Sequence, residues 1–174
     1  MPERLANAVL FQIGWLACVL GGNSLWLLLA LAALVIHLRW ISSWAAEGRL
    51  ILCVVIVGTA VDSALRGLGV FEFRDPAPLI PLWLMLLWAL LGTTLRHCLQ
   101  WSARPWWLAS LLGAAGGVLS YGAGGHLSGV RFPYGEWPTL IGIGLLWALL
   151  FPLLHGMARR LNGDAARSAD GLGP

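Results

Sequence analysis

Apolar runs of roughly sixteen to twenty residues recur along nearly the whole chain, close to the ~20 helical residues that cross a hydrocarbon core about 30 Å thick. They extend approximately from Leu5 to Leu20, Ser24 to Leu38, Leu50 to Val70, Leu79 to Leu95, Trp106 to Gly124 and Pro138 to Ala158. A soluble domain needs polar side chains over most of its surface. Here 59% of the 174 residues are hydrophobic and 11% are charged, against roughly 25% charged in soluble domains. The pattern predicts an all-α integral membrane bundle of six transmembrane helices over residues 1–161, followed by a polar, flexible tail over residues 162–174.

The connectors carry turn chemistry. Gly21, Gly22, Asn23 and Ser24 predict a tight first hairpin, and Pro105 and Pro138 sit where a helix's first turn tolerates proline. Arg4 ahead of the first run resembles the start of a signal peptide. Small residues are poorly placed for cleavage, and Cys18 lacks the upstream aliphatic residue of a lipoprotein signal, so the run is expected to stay as the first helix.

Arginine placement gives the orientation, because cytoplasmic loops retain positive charge. With both termini in the cytoplasm, that side holds Arg4, Arg39, Arg49, Arg96, Arg104, Arg159, Arg160 and Arg167, and the opposite side holds Arg66, Arg74 and Arg131. Trp26, Trp40, Trp44, Trp83, Trp101, Trp106, Trp107 and Trp137 fall near segment ends, where an amphipathic ring prefers the headgroup level. Trp15, Trp88 and Trp147 lie deeper, as packing residues or as the lining of a cavity for an acyl chain or polyene.

Several functions are excluded or lack a signature. The basic residues are single arginines scattered between apolar runs rather than a stripe that tracks a phosphate backbone, so no nucleic-acid partner is expected. The three cysteines form no close pair, which predicts neither disulfide nor zinc. No nucleophile elbow, phosphate loop, dinucleotide fingerprint or zinc-protease helix occurs, and no cofactor is assigned.

The fifth segment is built of small residues. Ala109, Gly113 and Gly117 are spaced by four, as are Gly116, Ser120 and Gly124, giving two adjoining ridges that other helices can approach closely. This predicts a central position for the fifth helix, with a homo-oligomer contact through the same surface as the alternative. Pro152 should kink the sixth helix just before His155. The string Leu-Leu-Trp-Ala-Leu-Leu occurs at 86–91 and 145–150, which in so Leu-rich a chain reads as chance similarity rather than a repeat.

Polar residues inside the runs are the candidates for chemistry, since an ionised group near the bilayer centre costs about 2.5–3.5 kcal/mol even on the lenient insertion scale. Asp62 lies in the outer half of the third run with Arg66 one turn later, so it reads either as a structural ion pair with Arg66 or as a proton- or substrate-binding carboxylate. Ser120 and Tyr121 can share a polar pocket with it. Asn7, Gln12, His37, Thr93, Thr94, His97 and His155 gather toward the cytoplasmic face. Asn7 and Gln12 read as interhelical hydrogen-bond glue. His37, His97 and His155 read as interfacial histidines rather than a metal site, because none has a partner histidine three or four residues away; they are the weak metal candidates of the chain.

The run NAVLFQIGWLACVLGG with Asn7, Gln12 and Trp15, then Val61-Asp62-Ser63, then PLWLMLLWALLGTTLRHCLQW, then Gly117-Val118-Leu119-Ser120-Tyr121-Gly122-Ala123-Gly124, together resemble the bacterial membrane proteins grouped as domain of unknown function family 2878. The resemblance covers nearly the whole chain apart from the polar tail. It implies a multi-pass protein of the bacterial inner membrane and carries no established activity. His97-Cys98 departs from the His-Ser associated with that stretch of the family, which argues against a catalytic hydroxyl there.

Inward-facing polar groups among deep aromatics, with no sizeable soluble domain, lead to the expectation of a membrane-embedded enzyme or accessory factor of lipid metabolism, with membrane lipids as partners. The alternatives are a small proton-coupled transporter, carried by Asp62 and the glycine-rich fifth run, and a non-catalytic membrane scaffold.

Overall fold

A computed structural model describes residues 2–74 and 76–170, with side chains to residue 161. The side chains and last four positions of the expected polar tail therefore lie outside the described residues. Among the described residues there are six α-helices and no β-strand: α1 (Pro2–Gly21), α2 (Leu27–Ile36), α3 (Trp44–Gly67), α4 (Leu82–Thr94), α5 (Trp106–Ser128) and α6 (Glu136–Asp170). The stretches Pro2–Gly21, Trp44–Gly67 and Glu136–Leu161 are long and apolar enough to cross a membrane, while α2 and α4 are shorter apolar helices.

Local chemistry accounts for the boundaries. Ser43, in extended conformation, accepts a hydrogen bond from the Ala46 amide, so α3 begins six residues before its apolar run. Pro81 caps α4, and the Trp83 amide donates to Asn23 Oδ1, which ties the start of α4 to the first hairpin. α2 gives way to a π-turn over His37–Ile41, closed by the Ser42 amide donating to the His37 carbonyl at 2.9 Å. α5 ends at Gly129, whose φ of +71° is the left-handed conformation glycine reaches without strain. α6 runs unbroken through Pro152.

The outward surface is apolar. Leu25, Leu119 and Leu149 are 81%, 72% and 70% exposed, and Trp40, Trp106 and Trp137 are largely exposed at helix ends. So extensive an apolar surface marks contact with lipid or with another protein rather than with water.

α4 is the centre of the bundle, and the expectation of a central α5 is corrected. Trp83, Leu84 and every residue from Trp88 to Thr94 are buried, and α4 packs against α1, α2 and α3. α5 instead pairs chiefly with α6. A Cβ on Gly113 would lie 2.5 Å from the Trp147 carbonyl oxygen, and one on Gly117 would lie 2.6 Å from Trp147 Cγ, so the first small ridge lets the α6 backbone close in. The second ridge faces α1. There Ser120 accepts a hydrogen bond from Trp15 Nε1 at 3.1 Å, Gly124 meets Trp15 and Val19, and Gly116 faces open space. The missing bulk at Gly116 leaves a void beside these α1 contacts.

Beyond α3 and α5 the two connecting loops join. The Glu72 and Arg131 backbones exchange two hydrogen bonds of 3.0 Å, and their side chains form a 2.9 Å ion pair. This brings Phe71 and Phe132 over one end of the bundle, Phe71 stacking on Tyr121 with centroids 5.6 Å apart.

Candidate functional site

At the opposite end of the bundle from Phe71, the π-turn, the first turn of α3 and the segment after α4 bring three ionisable side chains together. Glu47, only 3% exposed, is placed there because the Ser43 cap starts α3 early. Its Oε2 accepts from His37 Nε2 at 2.9 Å and its Oε1 from His97 Nε2 at 2.7 Å, and the two imidazoles meet edge-on with centroids 4.9 Å apart. A carboxylate only accepts, so each Nε2 carries a proton. Asn7 orients the other side of His37. Its Oδ1 accepts from the Cys98 amide at 3.2 Å and its Nδ2 donates to the Thr93 carbonyl at 3.3 Å, which sets which way the amide points. Nδ2 also lies 3.1 Å from His37 Nδ1, so that nitrogen is the acceptor.

One ligand atom from each of His37, Glu47 and His97 lies within 4.8 Å of the others, which makes this the set able to hold a metal ion among the described residues. His37 and Glu47 are buried, and the His97 side chain is 18% exposed. Arg96 ties the start of α3 to α6 beside the cluster, donating to the Ala46 carbonyl at 2.7 Å and the Ala158 carbonyl at 3.1 Å.

A second polar cluster lies deeper. Asp62 is fully buried on α3; its Oδ2 accepts from Trp88 Nε1 at 2.8 Å, and Tyr121 Oη donates to Oδ1 and Oδ2 at 2.8 and 3.0 Å. The expected pairing with Arg66 is corrected. Arg66 points away from the core, donating to the Leu79 carbonyl at 2.7 Å and lying over the Phe73 ring. Trp88 and Tyr121 come directly across from α4 and α5 and take both Asp62 oxygens. Gly58 makes this possible, since a Cβ there would overlap the Trp88 ring.

Between α1, α4, α5 and α6 lies a cavity of about 460 Å³. Trp15, Trp88 and Trp147 all line it, with Trp88 and Trp147 stacked at 5.3 Å and 9°. Tyr121 joins the cavity wall to the Asp62 cluster. Phe71, Phe73 and Phe132 close one end, and Leu99, Trp101 and Ser102 line the other. Its polar linings are Gln12, Ser102, Ser120, Tyr121 and Ser128, with no charged side chain among them. Gln12 on α1 and Gly116, Leu119 and Ala123 on α5 are exposed, which places the mouth between these two helices on the side of the bundle.

The candidate residues thus separate into different environments. His37 and His97 meet at Glu47, with Asn7 behind His37. Gln12, Ser120 and Tyr121 line the cavity, and Asp62 backs its wall. Thr94 only donates to the Leu91 carbonyl, and His155 pairs with Ser102 Oγ at 3.0 Å, away from the other two histidines. Glu47 was missed by sequence reading because it falls between apolar runs. The signal was an acidic residue one turn after a serine pair able to cap a helix.

A family model described as Protein of unknown function (DUF2878) matches residues 4–153, and the chain belongs to that family. No curated protein and no solved structure matches the chain.

Proposed function

We propose that this member of the DUF2878 family is a membrane protein of lipid metabolism, an enzyme or accessory factor, that takes a neutral, lipid-soluble molecule with an acyl or isoprenoid chain into its aromatic cavity from the side. The observation that carries this reading is the cavity itself. Its volume lies within the range of small-molecule sites, about 300–1,000 Å³, and its walls are aromatic and uncharged, with a mouth on the apolar side of the bundle. A charged headgroup finds no counter-ion inside, so the occupant is uncharged or leaves its charge at the mouth. Stacked indoles suit a chain with conjugated or isolated double bonds. The Asp62 carboxylate is engaged by Trp88 and Tyr121 behind the wall, which favours a binding role for this region over a proton-coupled carrier.

The same reading places all six helices across the membrane with both termini on the cytoplasmic side, following the arginine distribution; the side from which Cys98 is alkylated reports it. The cavity is tested by lipid extraction and mass spectrometry of protein purified in mild detergent, wild type against Gly116→Phe. A Cβ at Gly116 meets nothing within 4 Å, so the backbone at the cavity mouth has room for a side chain there, and circular dichroism verifies the variant's fold. The wild type should yield a stoichiometric neutral lipid that the variant lacks. Equal lipid content in both, or none in the wild type after reconstitution in a total lipid extract, would exclude the reading.

A further inference from the structure

We propose that His37, Glu47 and His97 bind one divalent transition-metal ion, zinc or iron(II), with Asn7 orienting His37 behind it. Two imidazoles and one carboxylate form the donor set that suits zinc and iron and leaves coordination positions open for water or a substrate oxygen. Magnesium and calcium, which require oxygen ligands, are not served by two nitrogens. The proposal stands apart from the cavity reading, because none of the three residues lines the cavity.

Three features favour a site over a plain hydrogen-bonded cluster. The ligands come from three separate elements, the π-turn, the start of α3 and the segment after α4, so the completed fold assembles them. Each Nε2 already lies within 3 Å of a Glu47 oxygen, and small movements admit an ion between them. His97, partly exposed beside a buried partner, is the path by which an ion enters. Arg96, adjacent to His97 in the chain, has its guanidinium taken up by the Ala46 and Ala158 carbonyls.

Binding follows a balanced step. The ion takes the lone pair of each imidazole Nε2, each ring proton moves to Nδ1, Glu47 stays a carboxylate, and no proton is released overall. On His37 the new Nδ1–H faces the Asn7 amide, which donates toward it in the metal-free protein. The amide must therefore turn over, presenting Oδ1 to His37 and giving up its bonds with the Cys98 amide and the Thr93 carbonyl. Metal-bound histidines generally donate their second nitrogen to such an acceptor. Asn7 thus opposes the ion in one orientation and supports it in the other.

The test uses protein purified in detergent, stripped with a chelator, exposed to zinc or iron(II) alone, desalted and analysed by elemental mass spectrometry. About one ion per chain is expected in the wild type and in His155→Ala, whose histidine bonds to Ser102 instead. Binding should weaken by at least about tenfold in Glu47→Gln and in His97→Ala; the latter lies at a partly exposed position, and circular dichroism verifies its fold. Asn7→Asp, which offers His37 a carboxylate acceptor, should bind about tenfold more tightly, the usual scale of an outer-sphere partner. A wild type that retains neither ion, a His97→Ala variant with wild-type stoichiometry, or loss of binding in His155→Ala would overturn the assignment.

Discussion

Asp62→Ala and Asp62→Asn separate two accounts of the deep polar cluster, as a hydrogen-bond hub or as a charge the fold needs. Asp62 is fully buried and accepts one bond from Trp88 Nε1 and a shared pair from Tyr121 Oη. Alanine strands both donors in an apolar wall. Stranded buried groups cost about 1–3 kcal/mol each in soluble proteins, whereas interhelical hydrogen bonds in membranes average about 0.6 kcal/mol with a maximum near 1.7. The two scales bracket the loss between about 1 and 6 kcal/mol, and their overlap near 3 kcal/mol is on the order of a hundredfold in the folding equilibrium. Asparagine keeps the volume. Its oxygen can occupy the Oδ2 position and hold Trp88, its NH2 can donate to Tyr121 Oη, and relief from burying a carboxylate offsets part of any loss. Its cost should stay below about 1 kcal/mol on the membrane scale. Both variants are unfolded by sodium dodecyl sulfate in mixed micelles and followed by far-UV dichroism and tryptophan fluorescence. Two results refute the hub: alanine within about 0.5 kcal/mol of wild type, the margin of an indifferent substitution, or asparagine as costly as alanine.

The small residues of α5 and α6 should sort by what faces them. Gly117→Leu drives a side chain into Trp147 and should cost at least the ~1–3 kcal/mol of overpacking, whereas Gly142→Ala, whose Cβ meets nothing, should be neutral or stabilising by up to about 1 kcal/mol; equal effects in the same unfolding assay would deny the close α5–α6 contact. Cys98 reports both topology and protonation. Burial pushes its thiol above the ordinary range, so the protonated form persists through neutral pH and alkylation gains rate only as pH rises into the alkaline region. In sealed vesicles a membrane-impermeant maleimide should reach it from the cytoplasmic face alone, slowly at pH 7 and faster at pH 9; reaction from the other face inverts the proposed orientation, and a flat pH profile contradicts the burial.

Long apolar runs were legible because hydrophobicity is a sum over many residues and tolerates local error. Boundaries were not, wherever one hydrogen bond set them: Ser43 moves the start of α3 to Trp44, and the Ser42–His37 bond turns the end of α2 into a π-turn. The small-residue ridges on α5 were visible, but not what each would face. Spacing by four gives a face without bulk, and whether a neighbour fills it depends on the partner helix. One ridge meets Trp147 and Phe151, and the other meets Trp15 at Ser120 and Gly124 but opens on a void at Gly116.

The polar residues show the same division more sharply, because a side chain's partner is a tertiary property. Asp62 and Arg66 share a helix face in sequence, yet Asp62 turns inward to an indole and a phenol that lie 26 and 59 residues away. His37, His97 and His155 read alike by position in their apolar runs, and that alone cannot say that the first two meet at one carboxylate while the third, on α6, bonds to Ser102. What joins His37 to His97 is Glu47, a carboxylate that a hydropathy reading assigns to a loop. It is buried because two ring N–H groups satisfy its oxygens, and an unsatisfied carboxylate there would have been expelled. Removing Glu47 alone therefore leaves the buried His37 N–H without its acceptor, while His97, partly exposed, can turn its own N–H to water.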